Sequence, residues 1–120
     1  MISIIDDDPS FRGATTRLIK SLGYAVAAFG SAEEFLESDL LDETVCIISD
    51  VQMPGMNGIE LQNRLLAEGY RLPIIFITAY PNIKTREPAL ALGAIGFLDK
   101  PFTEETLISC LDRALAAGKA

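Results

Sequence analysis

The sequence predicts an α/β fold in which a parallel sheet is covered by helices on both faces. Short apolar, β-prone runs alternate with amphipathic helical patterns, strand then helix, five times over. The runs are continuously apolar, the mark of strands buried on both faces. The connections are short, and no repeat, low-complexity tract or linker breaks the series, which suits βα units wound about one sheet. Residues 1–120 read as one domain, long enough to bury a core without disulfides or metal staples.

Ile2-Ser3-Ile4-Ile5 reads as the first strand and ends at Asp6. Asp8 precedes Pro9, an N-cap followed by a residue favoured at the first helical position. Phe11, Ala14, Leu18, Ile19 and Leu22 recur at helical spacing, and Gly23 stops that helix. Tyr24 to Phe29 is the second strand. Ser31 and Glu34 make a capping box that opens a short helix to about Ser38.

Val45-Cys46-Ile47-Ile48-Ser49-Asp50 is the third strand, an apolar run that ends on one carboxylate. A loop punctuated by Pro54, Gly55 and Gly58 follows, then a helix from Gly58 to about Glu68 with Leu61 and Leu65 on one face. Leu72 to Thr78 is the fourth strand. Tyr80 to Glu87 reads as irregular, bounded by Pro81 and Pro88. Either the fourth helix starts late with Pro88 in its first turn, or it is kinked there. A shortened or mobile first turn is the expectation. Ala94 to Asp99 is the fifth strand. Thr103 caps a last helix whose Leu107, Ile108, Leu111, Ala114 and Leu115 share a face.

The net charge of −7 and a pI of about 4.4 repel nucleic acid, so DNA or RNA contact belongs to some other domain. No apolar run approaches the roughly 18 residues that span a bilayer. The start Met1-Ile2-Ser3 has neither the basic segment nor the cleavage site of a secretory signal, so a cytoplasmic protein is expected. Cys46 and Cys110 sit in apolar surroundings and read as buried free thiols. Histidine is absent, which excludes an imidazole base or a phosphohistidine on this chain.

In an open parallel sheet, sites form beyond the carboxyl ends of the strands. Those ends are Asp6-Asp7-Asp8, Asp50, Thr78 and Asp99-Lys100-Pro101. Each has an ordinary reading: Asp8 as a helix cap, Asp99 as a solvated strand end, Thr78 as a core hydroxyl, Lys100 as a surface lysine. Their joint occurrence points to phosphate chemistry. Crowded carboxylates call for a cation, and carboxylate oxygens with a phosphate suit Mg²⁺. A hydroxyl, an ammonium and a divalent ion would hold three phosphoryl oxygens, leaving Asp50 to act as nucleophile.

These residues, in this order, resemble the receiver domains of two-component response regulators. The resemblance covers essentially the whole chain. It is carried by Ile4-Ile5-Asp6-Asp7-Asp8, Asp50, Met53-Pro54-Gly55-Met56-Asn57-Gly58, Thr78-Ala79 and Phe97-Leu98-Asp99-Lys100-Pro101-Phe102. The chain is most similar to the nitrogen-fixation branch, which places a receiver before a helix-turn-helix domain.

The resemblance implies a flavodoxin-like five-stranded sheet in order 2-1-3-4-5 and Asp50 as phosphoacceptor from a sensor histidine kinase. It implies Mg²⁺ or Mn²⁺ bound by the acidic pair Asp6 and Asp7, by Asp50 and by the Gln52 backbone carbonyl. Thr78 and Lys100 would contact the phosphoryl group, and the Lys100–Pro101 bond would be cis. Thr78 and Phe97 would form the switch, and the fourth helix, fifth strand and fifth helix a readout and dimerisation face. Output would run through transcription by a separate domain. Such a chain is no turnover enzyme and promotes only its own phosphorylation and dephosphorylation. Gln52 and Tyr80 occupy the family's variable positions beside the path of the hydrolytic water, where Tyr80 would shield the acyl phosphate.

Three other readings compete. A haloacid-dehalogenase-type phosphatase would use the Asp6-x-Asp8 spacing, but Pro9 starts a helix at once and no acid pair follows Lys100. A flavodoxin needs a Ser/Thr/Gly-rich phosphate loop where three aspartates stand. A pseudo-receiver that only docks would have no need of the full set Asp6, Asp7, Asp50, Thr78 and Lys100.

Overall fold

The computed structural model describes residues 1–80 and 82–117. Pro81 and the last three positions of the expected 1–120 domain lie outside the described residues. The elements are β1 Ile2–Ile5, α1 Pro9–Ser21, β2 Val26–Phe29, α2 Ala32–Glu37, a 3₁₀ turn Leu41–Glu43, β3 Cys46–Asp50, α3 Gly58–Ala67, β4 Ile74–Thr78, α4 Ile83–Ala91, β5 Gly96–Asp99 and α5 Glu104–Ala117. The five strands are parallel in order β2-β1-β3-β4-β5, the flavodoxin-like order.

Alternation along the strands divides the core in two. Ile2, Ile4, Ile48, Ile75, Ile77 and Leu98 face α1 and α5, where Ile19, Leu107 and Leu111 close over them. Ile5, Ile47, Ile74 and Phe76 face the other way, against Phe35 of α2 and Leu61 and Leu65 of α3. Both strand faces are thereby buried, which is why the apolar runs show no polar alternation. Cys46 and Cys110 are both free and buried. Burial, reinforced by the neighbouring Cys110 thiol, pushes the Cys46 thiol up to about 12.

The observed strands are shorter than the apolar runs. Val45, Leu72 and Pro73 precede the ladders, and Val45 is 47% exposed. Ala14 and Leu22, counted by spacing on the inner face of α1, lie on its exposed side.

The fourth helix departs from expectation. Asn82 accepts the Lys84 N–H on its side chain, and its carbonyl takes the N–H groups of Thr85 and Arg86. The helix therefore starts at Ile83 and carries Pro88 in its interior, so the late start with Pro88 in the first turn does not form. Asn82 caps strongly enough to begin the helix early, and Pro88 then has no N–H to give the Lys84 carbonyl. Pro88 is exposed, and Ala89 is the one buried residue among the described side chains of α4. Gln62 ties α3 to α4 by donating to the Ala89 carbonyl at 3.0 Å, while its own buried Oε1 has no partner.

Gly58 opens α3 where no side chain fits. A Cβ there would collide with the Asp50 carbonyl oxygen and come within 3.0 Å of Phe76 Cε1. Gly58→Ala is therefore expected to destabilise the fold by about 2 kcal/mol or more, read as a lower urea midpoint with an unchanged m-value. Pro88→Ala should do the opposite. Restoring a backbone donor in an exposed helix interior should stabilise by about 1–3 kcal/mol, measured in the same titration.

Candidate functional site

The parallel register brings the polar strand ends to one edge of the sheet. Asp50 pairs with Ile77, and Thr78 with Asp99, so Asp50, Thr78 and Lys100 end or follow three adjacent strands. Asp6 follows β1, on the other side of β3. Asp6 is 3% exposed, Asp50 6% and Thr78 1%, so the charged pair and the hydroxyl are buried and not surface decoration.

Lys100 Nζ lies 2.9 Å from Asp50 Oδ2 and 3.1 Å from Asp6 Oδ2. It also sits 4.3 Å from the centroid of the Phe11 ring, a cation–π contact. Asp7 is exposed, and one carboxylate oxygen each of Asp6, Asp7 and Asp50 fall within 4.8 Å of one another. One ammonium thus faces a cluster of three acids. Burial raises the Asp50 carboxyl above the ordinary range, with Lys100 pulling it back and Asp6 adding to the rise. Burial pulls Lys100 down, but its bonds to Asp50 and Asp6 outweigh this and the ammonium titrates high. The residual negative charge and the hard oxygen donors fit a divalent cation such as Mg²⁺.

Local hydrogen bonds hold these side chains. Asp6 Oδ1 accepts the Asp8 N–H at 3.0 Å, and the Asp6 carbonyl accepts Arg12 Nη1 at 2.8 Å. Asp8 caps α1 by accepting from Ser10 and Phe11, its ordinary reading. The Gln52 N–H donates to Asp50 Oδ1 at 3.3 Å. The loop after β3 is pinned by Gly58 N–H to the Val51 carbonyl and by Met56 N–H to Glu33 Oε2. The Lys100–Pro101 peptide bond is cis.

Other sequence-selected residues stand apart from the acids. Thr78 donates its hydroxyl proton to Gln52 Oε1 at 2.8 Å and accepts the Tyr80 N–H at 3.0 Å. The Tyr80 side chain is largely solvent-exposed, the residue 72% accessible. Phe97 is half-buried, its ring 5.7 Å from that of Phe76. Asp99 is exposed. Sequence reasoning missed the roles of Phe11 and Arg12, assigned to a helix, and of Glu33, which reaches the site's loop from α2. It also missed the bond between the Gln52 side chain and Thr78. The apolar run and the capping box gave no sign of these contacts.

This geometry can hold a metal ion beside a buried carboxylate, with a lysine and a hydroxyl on adjacent strand ends. The family model of the response regulator receiver domain matches residues 2–112. Nodulation protein W of Bradyrhizobium diazoefficiens is 40% identical over 117 residues, 98% of this chain and 50% of that protein. The transcriptional regulatory protein FixJ of the same organism is 36% identical over 114 residues, 95% of this chain and 56% of that protein. The solved structure of the response regulator StyR superposes with a TM-score of 0.91 at 39% identity, covering 98% of this chain and 60% of that one. The chain spans about half the length of the curated relatives it matches. It belongs to the response regulator receiver domain family of two-component systems.

Proposed function

We propose that Asp50 accepts a phosphoryl group from the phosphohistidine of a sensor kinase, and that the charge change switches the surface of α4, β5 and α5. The observation that carries this is the placement of Asp50 Oδ2 at 2.9 Å from Lys100 Nζ, with Asp6 on the same nitrogen and Thr78 on the next strand. A buried carboxylate that Lys100 and the Gln52 N–H hold in one orientation is a positioned nucleophile.

In the transfer, a carboxylate oxygen of Asp50 forms the new bond to phosphorus. The P–N bond breaks, and its electron pair stays on the kinase imidazole. Asp6, Asp7, Asp50 and the Gln52 backbone carbonyl would hold Mg²⁺ or Mn²⁺, which when bound neutralises phosphoryl oxygens. Lys100 exchanges its carboxylate bonds for a phosphoryl oxygen, and the Thr78 hydroxyl donates to another. Phe97 then turns into the space Thr78 leaves. Gln52 and Tyr80 flank the water that later hydrolyses the acyl phosphate, and an exposed Tyr80 must fold inward to shield it. The chain turns over no external substrate beyond these two steps.

Partners follow from the same reading. A groove bordered by Arg86, Phe97, Glu105 and Arg113 on α4, β5 and α5 carries both signs of charge, which suits a self-complementary dimer of phosphorylated chains. Among the described residues no helix is long and apolar enough to cross a membrane. A cytoplasmic setting, a histidine kinase donor and transcriptional output through a separate DNA-contacting domain complete the proposal.

With acetyl phosphate and Mg²⁺, intact mass should show the gain of one phosphoryl group, lost in Asp50→Asn and reduced at least tenfold in rate by Lys100→Ala. A gain that persists in Asp50→Asn would remove Asp50 as the acceptor. Mg²⁺ alone should raise the thermal midpoint, by a free energy of about 2.7 kcal/mol at a concentration 100 times Kd. Chelation should reverse that rise, and Asp7→Asn should abolish most of it.

A further inference from the structure

We infer that Gln52 is a latch on the Thr78 hydroxyl, and that its release couples the acidic pocket to α4. The inference rests on the reading of Asp50 as a phosphoryl acceptor. A hydroxyl has one proton to donate. The Tyr80 N–H already occupies a lone pair of Thr78 Oγ1 at 3.0 Å, and the proton goes to Gln52 Oε1 at 2.8 Å. While Gln52 holds that proton, Thr78 has none for a phosphoryl oxygen. The same residue donates its backbone N–H to Asp50 Oδ1 at 3.3 Å. Gln52 therefore touches Asp50 through its backbone and Thr78 through its side chain, and a phosphoryl group on Asp50 disturbs both.

The released amide has somewhere to go. Gln52 lines a groove between the β3–α3 loop and α4, together with Met53, Asn57, Lys84, Thr85 and Pro88. Thr85 and Asn57 offer polar partners there. The far wall, α4, is the element least able to resist a new contact. Pro88 denies it an internal bond, Ala89 is its one buried described residue, and Gln62 holds it with half of a buried amide. Turned into this groove, the Gln52 amide bears on the first turn of α4. This route is separate from the movement of Phe97 and uses no residue of β5. Gln52 acts here as a positioning residue, since it controls what Thr78 can donate.

Two substitutions separate hydrogen bonding from bulk, and both keep the backbone carbonyl. Gln52→Met preserves length and removes the acceptor. Gln52→Glu preserves the acceptor and strengthens it with charge. With acetyl phosphate and Mg²⁺, the Met variant should be phosphorylated about 2- to 10-fold faster than wild type, the factor that one net hydrogen bond is worth. The Glu variant should be slower than wild type. In amide NMR spectra of the unphosphorylated protein, the Tyr80 signal should move in the Met variant and stay near wild type in the Glu variant. On phosphorylation, the Lys84 and Thr85 signals should shift in wild type and much less in the Met variant. A wild-type rate and an unmoved Tyr80 signal in the Met variant would overturn the latch. Equal acceleration by Met and Glu would also overturn it, because bulk and not the acceptor would then be at work. Equal Lys84 and Thr85 shifts in both proteins would overturn the coupling to α4. If wild type took no phosphoryl group at all, the reading of Asp50 would fail, and the Tyr80 signal would still decide the latch.

Discussion

The Lys100 ammonium stands between the Asp6 and Asp50 carboxylates, and the polar end of the molecule is arranged around that sharing. Two buried acids at the ends of β1 and β3 repel each other, and Asp6 adds to the upward push on the Asp50 carboxyl. A lysine brought in from the end of β5 bonds to both and pulls the Asp50 carboxyl back down. It reaches them because the parallel register sets where its chain leaves the sheet and the Phe11 ring sets where its head rests. The arrangement is deliberately short of positive charge. Asp7 adds a further carboxylate at the exposed rim, so the pocket is left attractive to a divalent ion and to the reagents that follow it.

Much of this was legible from the chain. Asp6, Asp50, Thr78 and Lys100 could be chosen because continuous apolar runs announce buried parallel strands, and parallel strands gather their carboxyl ends on one side. The side-chain partners were not legible. Glu33 meets the loop at Met56 from a different layer of the fold, and no local pattern signals a contact of that kind. Gln52 was chosen for its backbone carbonyl and for its place beside the hydrolytic water, and the bond of its side chain to Thr78 was not foreseen. Pro88 misled toward a late start because its local rule is strong: proline suits a first turn and breaks a helix interior. The Asn82 cap, a weaker-looking signal, set the helix start, and an exposed position tolerated the lost bond.

Stability is unevenly distributed as a result. The sheet and α1, α3 and α5 bury large aliphatic side chains on both faces. By contrast α4 rests on one alanine among its described side chains and a single glutamine bond. Elements that move in switching are drawn from the low-stability end of a structure. A rigid edge that fixes Asp50 beside a lightly held helix is the combination a phosphorylation-driven rearrangement requires.

The far end of α5 carries a consequence of its own. Leu115, in its last turn, shares an apolar recess with Tyr24, Val45, Leu72 and Pro73, residues that all precede strands. The helix thus returns the chain to the amino ends of the strands, with the length of the strands between it and Asp50. A second domain tethered there would start from the opposite end of the sheet. Its attachment would lie a strand's length from Asp50, nearer to the outward faces of the helices than to the pocket. The tether would set how far such a domain can roam, and so which of those faces it can meet.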